Sequence, residues 1–142
     1  MSDPHHLQRF LDAQEDWFEI ALGELKAGSK RSHWMWFIFP QLAALGRSPT
    51  AKFYGIASIT EARAYLDHPI LGVRLRHSVE ALLPYAGQRM PEQILGPVDA
   101  LKLKSCLTLF DVIRPGDIFD RALAGFYGER DARTLALLNR KD

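Results

Sequence analysis

Eight prolines and ten glycines divide this 142-residue chain into short segments. Between them, apolar residues recur at three- and four-residue spacing rather than in alternation. Such a period lines residues along one face of an α-helix, whereas a half-buried strand needs a period of two. No stretch alternates cleanly over strand length. The expected fold class is therefore all-α: one compact domain over residues 1–142, with about seven helices, some of them short. The Trp34–Phe39 run stays open to a buried strand, because aromatic bulk alone does not separate the two.

Local signals place most of the helices. Asp3-Pro4 reads as an N-cap with proline at the first helical position. Leu7, Phe10, Leu11, Gln14, Phe18, Ala21, Leu22 and Leu25 then mark one face, ending at Gly28, while Asp12, Glu15, Asp16, Glu19 and Glu24 fall on the other side. Ser32 is placed to cap a short helix from His33 that breaks near Pro40. Ser48-Pro49 repeats the cap-then-proline signal, and Ser58 with Glu61 matches a reciprocal capping box. His68-Pro69 opens a helix with Leu71, Leu75, Val79 and Leu82 inward and Arg74, Arg76 and Glu80 solvated. Residues 84–97 form the loosest region, with at most one turn at Pro91–Leu95. Pro97 begins a long helix that is apolar over so wide an arc that it belongs at the centre of the fold. Asp117–Gly125 and Asp131–Arg140 supply the last two.

Composition narrows function mainly by exclusion. A 47% hydrophobic and 25% charged chain of net charge +1 is that of an ordinary globular protein with no bulk attraction for duplex nucleic acid or an acidic membrane. The one cysteine, Cys106, excludes an internal disulfide and a cysteine-rich metal site. Residues 1–6 lack a basic region followed by an apolar one, and the longest mostly apolar run, Trp34–Leu45, is shorter than the roughly 20 residues a membrane helix needs. A cytoplasmic protein is expected. His5, His6, His68 and His77 show no metal-ligand spacing, so no metal is expected. Without a Gly-rich phosphate loop, a nucleophile elbow or a carboxylate pair in an apolar setting, no cofactor or catalytic set is assigned, and enzymatic activity stays undecided.

The most unusual stretch is Ser32-His33-Trp34-Met35-Trp36-Phe37-Ile38-Phe39-Pro40-Gln41. Together with Glu61–Gly72, Asp99–Phe110 and Phe126–Asp131 followed by Thr134 and Leu135, it resembles a bacterial family of uncharacterised all-helical proteins, sometimes labelled calpastatin, with a mycobacterial member of known structure. The resemblance spans nearly the whole chain. It implies a compact helical fold and no settled activity. Relatives often carry a serine and a methionine where this chain has Cys106 and Leu107, which argues against a shared catalytic role for Cys106. In size and helical content the chain is also similar, more distantly, to domains linked to NAD and ADP-ribose metabolism, with no motif carried over residue by residue.

The aromatic segment has two readings. One is a buried helix that nucleates the core, with His33 bonded to backbone. In the other, a flat ligand such as a nucleobase stacks on Trp34 or Trp36 while His33 and Gln41 bond its edges. The long helix adds Lys102 and Ser105, for which a phosphate contact is one reading. The alternative pairs Lys102 with Asp99 at three-residue spacing and returns the Ser105 and Thr108 hydroxyls to carbonyls one turn earlier. Lys26, Lys30 and Arg31 either make a small phosphate approach or complement the C-terminus of the first helix. The resulting expectation is a domain that binds a nucleotide or ADP-ribose-like small molecule through His33, Trp34, Trp36, Gln41, Lys102 and Ser105. The alternative is a non-catalytic protein-interaction module using an exposed aromatic patch or residues 84–97.

Overall fold

The structure is a computed structural model in which residues 2–139 are described. Nine α-helices follow one another among these residues: α1 Gln8–Ala27, α2 Met35–Ile38, α3 Pro49–Phe53, α4 Ile59–Asp67, α5 Leu71–Leu82, α6 Pro91–Leu95, α7 Pro97–Ile113, α8 Ile118–Phe126 and α9 Ala132–Leu138. Single 3-10 turns lie at Ala43–Leu45 and Leu83–Tyr85. No strand forms among the described residues. One isolated parallel bridge joins Leu42 to Ile56. The expected all-α fold is what the chain adopts, and the extra helices are the short ones. The expected end of the last helix at Arg140 lies outside the described residues.

Several caps act as their residue types dictate. Ser48 Oγ accepts from the Ala51 amide at 3.1 Å, and Gly28 closes α1 with φ 69°. His68 Nδ1 accepts from the amides of Ile70 and Leu71 ahead of α5. Other expectations shift. Asp3 does not start a helix at Pro4. Its two carboxylate oxygens reach forward to the amides of Leu7 and Gln8, at 2.8 and 3.0 Å, and α1 begins four residues later than proline placement suggests. The capping box at Ser58 is half made. Ser58 Oγ accepts from the Glu61 amide, but the Glu61 carboxylate turns inward to Arg9. Arg76, expected in solvent, pairs with Asp117 at 3.1 Å.

The core is built around α7, which packs on α4, α6, α8 and α9, while α5 packs on α1, α4 and α8. A row of rings threads it: Phe10 meets Tyr65 edge-on at 5.0 Å, Tyr65 lies 5.6 Å from Phe110, and Phe110 5.8 Å from Phe119. Each fully buried phenylalanine contributes roughly 1.5–3 kcal/mol. Trp34, Met35, Phe37, Ile38 and Phe39 are all buried. The aromatic segment is core, organised by one helical turn and not by a strand.

Its exit fixes the neighbouring loop. The Ile56 amide donates to Gln41 O and the Ala43 amide to Ile56 O. The chain can approach this closely because Gly55 has no side chain; a Cβ there would meet Ala43 Cα at 2.3 Å. This bridge positions residues 45–51 beside α7.

Candidate functional site

Glu24 anchors the aromatic segment. The Arg31 amide, the Ser32 amide and Trp34 Nε1 donate to its Oε1 at 2.7, 2.9 and 2.9 Å, and Ser32 Oγ donates to Oε2 at 2.6 Å. Ser32 therefore serves Glu24 and does not cap α2. Partial burial pushes the Glu24 carboxyl up, but these four bonds to its charged form pull it down further, to about 2. Among the described residues no cation forms an ion pair with Glu24. Glu24 was expected on a solvated face, because nothing in its local spacing reveals a loop that folds back over it.

The tandem tryptophans are tied to two lysines through one aspartate. Lys30 Nζ lies 3.0 Å from Asp99 Oδ2 and 4.9 Å from the Trp34 ring centroid. Lys102 Nζ lies 3.6 Å from Asp99 Oδ1 and 5.1 Å from the Trp36 ring centroid. Each indole thus presents its electron-rich face to an ammonium held by the same carboxylate.

The structure divides the six sequence-derived site residues. Trp34 is fully enclosed, with its N–H on Glu24, so neither its edge nor its buried ring is offered to a ligand. His33 is exposed and does not line the cleft described next. Gln41, Lys102 and Ser105 do meet there, and half-buried Trp36 adjoins it beneath Lys102.

That cleft has a volume of about 430 Å³, within the range of small-molecule sites. One wall is Gln41 with residues 45–48 and Ala51, ahead of and within α3. The second is the outer side of α7, from Val98 and Leu101 to Lys102 and Ser105. Asp131 and Arg133 at the start of α9 close it. Val98 and Leu101 are exposed at 65% and 67%, so a ligand entering here would cover apolar surface. Arg47, Lys102 and Arg133 face a single carboxylate, Asp131. Among the described residues neither arginine forms an ion pair.

Asp131 is held firmly. Its Oδ2 accepts from Thr134 N at 2.9 Å, Thr134 Oγ1 at 2.6 Å and Ser105 Oγ at 3.3 Å. Its own amide donates to Thr108 Oγ1 at 2.8 Å. The hydroxyls of Ser105 and Thr108 also return to Leu101 O and Lys104 O, as their place in a helix leads one to expect. Arg47, Asp131 and Arg133 were not singled out from the sequence, since they come from separate segments that only folding brings together.

Other cavities are less suited to chemistry. One of 420 Å³ beside Leu137 and Leu138 is lined by no charged side chain. One of 450 Å³ beside Asp3, His5 and His68 is of similar size, but the Asp3 carboxylate and His68 Nδ1 already accept backbone amides. No group of three or more histidine, cysteine, aspartate or glutamate side chains suited to a metal occurs among the described residues. No helix among them is long and apolar enough to cross a membrane. Burial pushes the Cys106 thiol well above its ordinary value, which is contrary to the needs of a nucleophile.

Comparison with known proteins supplies a family but no activity. A family profile described as "Protein of unknown function (DUF1810)" matches residues 4–138. No curated protein matches the chain. Among solved structures, the conserved hypothetical protein Rv1873 from Mycobacterium tuberculosis is 46% identical, over 98% of this chain and 100% of that one, with a TM-score of 0.94. A bacterial relative that shares nearly every part of the fold, together with a profile running from Pro4 to Leu138, places this chain in the DUF1810 family.

Proposed function

We propose that the protein binds a small phosphorylated molecule of the nucleotide or ADP-ribose type in the cleft between residues 45–51, α7 and the start of α9. The observation that carries this reading is the pair of uncompensated arginines at the cleft: of its three cationic side chains Lys102 is paired with Asp99, whereas Arg47 and Arg133 have no ion-pair partner among the described residues. Guanidinium groups match phosphate oxygens in forked geometry. Leu45, Val98 and Leu101 offer an apolar surface for a flat ring, and Gln41 can hydrogen-bond its edge. Trp36 supports Lys102 from below, while Trp34 belongs to the core and His33 lies outside the cleft.

Thermal unfolding in the presence of NAD, ADP-ribose and mononucleotides tests the proposal. A ligand at a hundred times its Kd stabilises the folded state by about 2.7 kcal/mol. A raised Tm that reverses when Arg47 and Arg133 are both replaced by alanine is the expected result. No stabilisation by any of these compounds at millimolar concentration counts against the reading.

The alternative, a non-catalytic interaction module, draws on Met90, Val98 and Leu101, which are exposed at 58%, 65% and 67% near one end of α7. Exposed apolar side chains that cluster favour a protein partner over isolated ones. Light scattering that shows only monomer between micromolar and millimolar concentration speaks against self-association through this face.

A further inference from the structure

The cleft holds one group that a purely anion-binding site would not need. Asp131 puts a negative charge among Arg47, Lys102 and Arg133, where it repels phosphate. It is not there to neutralise the arginines, since no ion pair joins it to either. Capping α9 engages only one of its two oxygens. All three bonds that Asp131 accepts, from Ser105 Oγ, Thr134 N and Thr134 Oγ1, fall on Oδ2. Oδ1 accepts nothing from the described residues. A carboxylate oxygen is an acceptor only, and the Thr134 amide and hydroxyl hold its partner oxygen, with the single Ser105 proton shared between that oxygen and Leu101 O, so Oδ1 is a fixed acceptor in a site whose other charged groups are all donors.

A ligand that satisfies both kinds of group must carry an anion and, a short distance away, hydroxyl donors. A phosphorylated sugar with an intact diol has this combination. We infer that Asp131 is the specificity-determining residue of the cleft: Oδ1 accepts from the hydroxyls of a ribose whose phosphate lies on Arg47 and Arg133. This inference rests on the small-molecule reading of the cleft proposed above and narrows it to ribose phosphates.

Calorimetric titration of the full chain with AMP and with 2′,3′-dideoxy-AMP tests it. A hydrogen bond to a charged acceptor corresponds to roughly tenfold to a hundredfold in affinity. The dideoxy compound is therefore expected to bind wild type at least about tenfold more weakly than AMP. In Asp131→Asn the gap should narrow, because asparagine caps a helix about as well as aspartate and would use its oxygen for Thr134, leaving a neutral amide NH2 in place of the charged acceptor toward the ligand. Equal binding of the two nucleotides by wild type overturns the role of Asp131 while leaving the phosphate reading intact, and this comparison holds even where the variant fails to fold. Absence of AMP binding overturns the inference as well; if NAD and ADP-ribose also fail to bind, the reading beneath it falls too.

Discussion

Trp34 donates its indole N–H to Glu24 Oε1 at 2.9 Å, and through this contact a carboxylate on α1 holds the chain's most distinctive segment in place. The same oxygen accepts two backbone amides, so removing the carboxylate strands three donors at once. Glu24→Ala is expected to cost about 2–3 kcal/mol, since each unsatisfied donor costs about 1–3 and water reaches part of the site. Urea unfolding followed by tryptophan fluorescence measures this. A loss under about 0.5 kcal/mol, the range of an ordinary surface change, would show that the loop does not depend on Glu24.

The same carboxyl sets a pH dependence. Its folded value of about 2 lies below the ordinary 4.5, so the unfolded chain takes up the proton first as pH falls. The stabilisation is fully present above about 4.5 and is lost progressively down to about 2. Asp117 contributes in the same direction: burial raises it, but Arg76 and the Ile118 amide lower it more. Glu24→Gln should therefore flatten part, not all, of the acid limb of a Tm-against-pH curve. Superimposable limbs for variant and wild type would contradict the assignment.

Arg9 is the polar counterpart inside the fold. Its guanidinium donates to the carbonyls of His5, His6, Phe53 and Gly55 and to Glu61 Oε2, the last at 2.9 Å with both side chains 7% exposed. Lysine keeps the charge but offers three donors from one point, which do not reach five acceptors spread over three segments. Arg9→Met leaves Glu61 buried and unpaired and is expected to cost about 3–5 kcal/mol. Arg9→Lys should fall between the two. Denaturant midpoints that rank lysine with wild type would remove the case for the fork.

These two residues show what could be read from the chain beforehand. Ser48, Ser58 and Gly28 act within a turn of their own position, and local spacing was enough to find them. Gln41, Lys102 and Ser105 stood out as polar residues inside apolar segments, and they do share the cleft. Glu24 falls on the solvated side of the first helix by spacing, because its partners lie seven to ten residues away, and nothing local marks Arg9, whose Glu61 partner lies across the fold. Arg47 and Arg133 are 86 positions apart in numbering and ordinary in context. Only the bridge between Leu42 and Ile56 and the packing of α9 on α7 bring them to one cleft.

Two glycines should respond in opposite ways to the same substitution. Gly23 lies within α1, and a Cβ there meets nothing within 4 Å. Gly23→Ala is expected to stabilise by about 0.5–1 kcal/mol, the difference in helix propensity. At Gly72 a Cβ would stand 1.9 Å from the Leu66 carbonyl oxygen, where backbone must move. Gly72→Ala is expected to cost about 1–3 kcal/mol from overpacking at the α4–α5 junction. Equal shifts in Tm for the two variants would disprove this steric reading.

Cys106 should be silent until the fold opens. It is fully buried, and desolvation holds its thiol in the protonated form, whereas labelling reagents attack the thiolate. Reaction with an aromatic disulfide at neutral pH is expected to follow the unfolding rate in native buffer and to finish quickly in denaturant. Rapid stoichiometric labelling of native protein would show that the helix α7 core opens more readily than its packing implies.

The two arginines of the cleft offer the sharpest separation of binding from folding. Both are exposed and neither is ion-paired among the described residues, so Arg47→Ala with Arg133→Ala should change stability by no more than about 0.5 kcal/mol. Affinity for a phosphorylated ligand should respond far more. A charge-assisted hydrogen bond is worth roughly 1.5–3 kcal/mol, so losing both groups predicts at least about a hundredfold weaker binding. Replacing both with lysine keeps the charge without the fork and should recover part of that loss and retain the salt dependence of the wild type. Unchanged affinity in the alanine pair, with the free protein still folded, would place any phosphate contact elsewhere on the molecule.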